Sequence, residues 1–224
     1  MRRRAAIPAN GFARVTAAAL ACTCVPAGAA TITVDVVDER GAPVAGVAVY
    51  ATSTVAQPRE RRAPTAVMDQ ANNAFVPHLL VVEIGTEVLF PNSDTVSHHV
   101  YSFSDAKSFE LGLYKGNAYP PVRFDRPGIV VLGCNIHDGM LGYVVVVDTP
   151  HFALTDDHGT ARLDGVAAGD YVVDAWTPRV RPSGLPGAAR ITVTDAAAET
   201  VFTLRGKLAP DHDHTAAALS WDRY

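Results

Sequence analysis

The chain has little cysteine, little helical spacing of apolar residues, and no apolar run long enough to cross a bilayer. Each shortage excludes something. Without a spanning run, no permanent membrane anchor is expected. With 19 Lys+Arg against 23 Asp+Glu and no basic patch, nucleic acid is not an expected partner. No G-x-S-x-G, H-E-x-x-H, P-loop or G-x-G-x-x-G signature occurs, so hydrolase, kinase and dehydrogenase chemistry lack support. The chain reads as a non-enzyme.

What is present begins with a leader. Arg2, Arg3, Arg4 and Arg14 precede "VTAAALACTCVPAGAA", with small residues at Ala27 and Ala29 and no acidic residue before Asp35. This is the pattern of a cleavable export signal over residues 1–29, and it places the mature protein in a periplasmic, disulfide-permitting compartment. Cleavage removes Cys22 and Cys24 and leaves Cys134 as the single thiol. It also removes four of the 19 basic residues and no acidic one, so the formal balance moves from −4 to 15 minus 23, or −8. A lone thiol in an oxidising compartment is either a buried, inert residue or one protected by something else, and a metal would protect it.

Valine-rich alternating runs dominate the rest: "TITVDVV", "GVAVYAT", "HLLVVEIG", "EVLFPN", "GIVVLG", "GYVVVVD", "GDYVVDAW" and "ARITVT". Gly, Pro, Asn and Asp punctuate them, the pattern of an all-β protein made of sandwiches. "AQPRERRAP" (56–64) reads as a loop, "DTPHF" (148–152) as a second junction, and the tail after 206 carries no pattern. "FELGLYKGNAYPPVRFDRPG" reads as a further loop, with Lys115 and Arg123 as solvated charges. These breaks predict five parts: the leader 1–29, a β segment 30–65, a β domain 66–150, a second β segment 151–206 and the tail 207–224.

Residues 66–150 hold a constellation with chemistry. Cys134, His137 and Met140 are spaced C-x2-H-x2-M between two valine strands, and "NSDTVSHHVYSF" places His98 and His99 upstream. Two imidazole nitrogens and a thiolate around a weak thioether form a blue-copper donor set. Zinc is disfavoured, because only one thiolate is available and thioether is a poor zinc ligand. Successive strand residues face opposite ways, so only one of the two upstream histidines reaches a metal. His78, at a strand start, reads as a packing histidine. His151 and His158 lack ligand spacing, His212 and His214 belong to the tail, and Asn92 and Asp94 read as turn residues that support the ligands.

The segment "NNAFVPHLLVVEIGTEVLFPNSDTVSHHVYSF…FDRPGIVVLGCNIHDGMLGYVVVVD" resembles a plastocyanin/amicyanin-type cupredoxin, with the short amicyanin spacing around His137. The flanking "TITVDVVDERGAPVAGVAVYAT" and "TDDHGTARLDGVAAGDYVVDAW" together resemble one transthyretin-like, or carboxypeptidase-regulatory, β-sandwich into which the cupredoxin is inserted. The whole is similar to periplasmic proteins labelled methylamine utilisation proteins. The resemblance implies a Greek-key sandwich holding one type 1 copper ion, with His98, Cys134, His137 and Met140 as ligands. It also implies one-electron exchange with periplasmic redox partners such as an amine dehydrogenase or a c-type cytochrome. A copper chaperone, sensor or assembly factor is the alternative, whereas a multicopper oxidase fragment would need paired H-x-H motifs in the strand-rich core. Three positions depart from the family. His99 stands where Asn normally ties the ligand loop, a role its ring N–H could take, and Asp138 and Gly139 replace the Pro and aromatic residue that follow the second histidine.

Overall fold

The computed structural model describes residues 29–55, 64–194 and 196–210. The leader with Cys22 and Cys24, most of the 56–64 loop, and the tail with His212 and His214 lie outside the described residues.

The chain is all-β. Its strands are, in order, β1 (Ala30–Asp38), β2 (Ala48–Ser53), β3 (Thr65–Val67), β4 (Asp69–Ala71), β5 (Ala74–Val76), β6 (Leu79–Glu83), β7 (Glu87–Leu89), β8 (His98–Ser104) and β9 (Lys107–Tyr114). They continue as β10 (Val122–Arg123), β11 (Gly128–Gly133), β12 (Leu141–Val147), β13 (Phe152–Leu154), β14 (Thr160–Val166), β15 (Gly169–Trp176), β16 (Ala189–Val193) and β17 (Ala198–Leu204). Strict alternation builds β1, whose Ile32, Val34 and Val36 are buried while the residues between them are half-buried. Each such side chain taken fully out of water contributes roughly 1.5–3 kcal/mol.

Two cores result. In the first, the sheet β14-β1-β17 faces the sheet β13-β2-β15-β16 across Ile32, Val49, Leu163, Tyr171 and Phe202. In the second, the sheets β10-β7-β3 and β6-β12-β11-β8-β9, with the β4-β5 hairpin, enclose Met68, Phe75, Phe124, Val130 and Leu132. Strand β12 explains its own unbroken valines. Val144 and Val146 face the second core, while Val145 and Val147 face a seam against Ala48 with Tyr50, Phe152 and Trp176 around it. That seam joins the outer face of the five-stranded sheet to the first sandwich, with the Tyr143 and Trp176 rings 5.5 Å apart.

Strand β9 is a correction to the sequence reading, which makes "FELGLYKGNAYPPVRFDRPG" a loop throughout. Its first residues complete the edge of the five-stranded sheet, where β9 pairs with β8 and buries only Leu111 and Tyr114. Ser108, Glu110 and Gly112 alternate with Phe109, Leu111 and Leu113, the two-residue period of a strand with one solvated face, at an edge where charged and small residues are tolerated.

Candidate metal centre

The centre grows out of the register of three strands. β11 and β12 pair antiparallel up to Gly133 opposite Leu141, so residues 134–140 form the loop that closes this hairpin. β8 lies antiparallel on the other side of β11, with Tyr101 opposite Gly133, which brings the start of β8 to the same end of the sheet. Between His98 and Val100 the pairing with β9 slips, from Tyr114 to Leu111, so His99 alone on β8 opposes Gly112 and Leu113 on β9. Bulges of this kind re-aim side chains beside functional sites.

At that end His98, Cys134 and His137 each offer a donor atom, all within 4.8 Å of one another. Cys134 Sγ lies 3.9 Å from His98 Nδ1, and the two imidazole rings are 4.9 Å apart between centroids. His98 is fully buried, Cys134 is buried and His137 is half-buried. His137 Nδ1 is shielded from solvent and has no hydrogen-bond partner among the described residues. An orphaned imidazole nitrogen beside a thiol is costly unless something occupies it. A soft metal ion is what this donor set fits. The loop is turned by Gly139, at φ 85°, and closed by the Met140 amide donating to His137 O at 3.2 Å. Met140 is itself buried, in the same apolar cluster as Cys134. Asp138 is exposed.

Of the two adjacent histidines, His98 faces the thiol and His99 faces away. The His99 ring does not tie the ligand loop. Its Nε2 meets Glu110 Oε1 at 2.8 Å on β9, and its ring packs 5.6 Å from Tyr101. The reason is strand alternation, which puts His99, Tyr101 and Phe103 on the outer side of β8. His78 bonds the Leu141 carbonyl through Nδ1 at 3.0 Å and stacks edge-on to Tyr143, away from the centre. Lys115, a solvated charge in the sequence reading, donates to the Thr95 carbonyl.

The ligand support is more extensive than the sequence indicates. Asp94 Oδ2 meets His98 Nε2 at 3.0 Å and also accepts the Asn73 amide at 2.8 Å, while Oδ1 accepts the Thr95 amide at 2.8 Å. Burial pushes the Asp94 carboxyl up, but the Asn73 amide, the His98 ring and the Thr95 amide outweigh it and hold the group below the ordinary carboxylate range. Asn92 Oδ1 accepts the Asp94 amide at 3.0 Å, and Asn92 Nδ2 donates to Tyr114 O and Val96 O. Beneath them, fully buried Gln70 donates to Tyr114 Oη at 2.5 Å and to Pro91 O at 3.0 Å, and Tyr114 donates to Phe90 O. Asn73, Gln70 and Tyr114 gave no signal in the sequence, because their partners lie 21 or more residues away.

No family model and no curated protein matches the chain. Among solved structures, it is similar over 37% of its length to 99% of a purple cupredoxin from Nitrosopumilus maritimus, at 22% identity and a TM-score of 0.33. It is similar over 44% of its length to 99% of a proline-to-glycine mutant of amicyanin in its reduced Cu(I) form, at 23% identity and a TM-score of 0.34. A copper-containing nitrite reductase from Thermus scotoductus SA-01 matches at 20% identity and a TM-score of 0.37, and there the chain spans 26% of that protein. These similar structures are cupredoxins or contain copper, at low identity and over less than half of this chain.

Proposed function

We propose that this protein is an exported type 1 copper protein that carries single electrons between redox partners in the periplasm and catalyses no reaction of its own. The observation that carries the reading is the buried Cys134 thiol within 4.8 Å of donor atoms of His98 and His137, with His137 Nδ1 left without a hydrogen-bond partner among the described residues. A copper ion held by these donors supplies a one-electron couple between Cu(II) and Cu(I). The chain's residues do the rest. Cys134, buried at the end of β11, keeps its sulfur from other thiols and oxidants. His98 is locked on the inner side by Asp94. His137, half-buried, offers a ring edge through which a partner is reached without touching the metal. Met140, buried just beyond the loop's turn, is the fourth donor of this reading.

The unit formed by β1, β2 and β13 to β17 serves, in this reading, as a transthyretin-like docking module, and the partners are an amine dehydrogenase or a c-type cytochrome. The visible and EPR spectra of the mature protein titrated with Cu(II) test the proposal. Intense thiolate-to-copper absorption with narrow copper hyperfine splitting, lost in Cys134→Ser, is expected. A colourless protein with a titratable free thiol would falsify it. A coloured protein that releases Cu(I) readily to a chelator would instead mark a copper-delivery protein.

A further inference from the structure

We propose that the Asp94 carboxylate is a positioning residue for the centre, holding His98 with Nδ1 bare toward the thiol and placing a fixed negative charge that lowers the reduction potential. The inference rests on the copper reading above and extends it to a residue outside the donor set.

Geometry comes first. His98 is fully buried, its Nδ1 faces Cys134 Sγ, and its Nε2 has the Asp94 carboxylate at 3.0 Å. An imidazole whose outer nitrogen meets a carboxylate carries its proton there, which frees the inner nitrogen to ligate and strengthens it as a donor. Asp94 is itself held from several directions. Its side chain is 13% exposed and accepts two backbone amides besides the ring, and its own amide is fixed by Asn92. One of those amides, Asn73 N, sits at the tip of the β4-β5 hairpin, where Asn72 and Asn73 both take positive φ (54° and 58°). The hairpin thus brings a donor from a separate sheet to the same carboxylate oxygen that meets the ring.

Charge follows. A thiolate and a carboxylate place two negative charges close to the metal position, which balances Cu(II) and leaves Cu(I) with one in excess. The arrangement therefore favours the oxidised ion. Loss of such an outer partner typically costs about 10–100-fold in metal affinity. If Cu(II) loses tenfold more than Cu(I) does, the potential of a one-electron couple rises by about 59 mV.

The test is the reduction potential of Asp94→Asn, a neutral near-isostere, beside Glu110→Gln, which removes a carboxylate that bonds the neighbouring His99 but not a donor. The expected result is a rise of about 59 mV in Asp94→Asn, a tenfold shift toward Cu(I), with Glu110→Gln moving less than half as far. Equal shifts, or no shift in copper-loaded Asp94→Asn, overturn the proposal. Should that variant not fold or not bind copper, nitrogen NMR of the metal-free wild type decides the positioning role, because His98 must carry its proton on Nε2 and exchange it slowly. A proton on Nδ1 overturns it. A wild type that takes up no copper fails the copper reading and the potential together, while the NMR result still reports on Asp94 alone.

Discussion

Replacing Tyr114 by Phe removes one oxygen from beneath the metal centre, and the structure sets the size of the effect. Tyr114 is buried, donates to Phe90 O at 2.5 Å and accepts from Gln70 Nε2 at 2.5 Å. The variant leaves the Phe90 carbonyl without that donor and Gln70 Nε2 with Pro91 O as its remaining partner. Gln70 Oε1 is already buried without a hydrogen-bond partner among the described residues. At about 1–3 kcal/mol for each buried group left unmade, the loss comes to about 3 kcal/mol. For a chain of this size that lowers Tm by roughly 6–12 °C. Calorimetry and urea unfolding of both forms measure it. The pH dependence adds a second, independent signature. Burial, the largest cause, pushes the Tyr114 phenol up to about 12; the Gln70 bond opposes this, and Tyr119, Asp69 and Cys134 add to it. The folded state thus favours the neutral phenol. Its contribution is fully present below the ordinary value of 10.0 and is lost as pH rises from there to about 12. In Tyr114→Phe that alkaline loss should shrink. A change below about 1 kcal/mol, well under the cost of one orphaned buried group, together with an unaltered alkaline limb, would refute the reasoning.

Other outcomes are expected. Gly142→Ala puts a Cβ 2.8 Å from Phe75 Cβ and 2.9 Å from its Cγ, inside the second core, and should cost about 1–3 kcal/mol by overpacking, read by urea unfolding. His99→Ala should keep the blue absorption and His98→Ala should lose it; the reverse pattern, seen by visible spectroscopy, would exchange their roles. At the acid end, amides of Ala42 and Arg40 hold the Asp38 carboxyl below 3.8, and those of Thr160 and His158 do the same for Asp156. Both support folding above that pH and lose the effect as pH falls below it. Urea titrations between neutral and acid pH should therefore show a flatter acid limb in Asp38→Asn/Asp156→Asn than in the wild type.

What the sequence discloses follows the range of each interaction. C-x2-H-x2-M is legible because one loop carries all three residues, and strand alternation alone separates His98 from His99. The valine runs announce strands because burial on both faces of β12 demands apolar residues at every position from 144 to 147. Strand β9 escapes because its alternation of Phe109, Leu111 and Leu113 is short, is broken by the register slip between Leu111 and Tyr114, and runs straight into Gly116, Pro120 and Pro121. The bonds from Asn73 to Asp94 and from Gln70 to Tyr114 escape for another reason. They exist only once separate sheets are in register, and no local spacing encodes that register. His99 misleads because its place in the ligand motif implies a loop contact, whereas its side of the strand sends it to Glu110.

The arrangement of the two cores has a consequence for how the chain folds. Strand β1 pairs with β14 and with β17, so the first sandwich closes only after residue 204 is available, whereas every strand of the second core is complete by Val147. During synthesis from the N-terminus the metal-site core can fold first while β1 and β2 wait unpaired. Once folded, it replaces a long flexible loop by the fixed distance between its two ends, and so lowers the entropy cost of bringing β2 to β15. Variants that destabilise the second core, Tyr114→Phe among them, should therefore slow the assembly of a sandwich they do not touch.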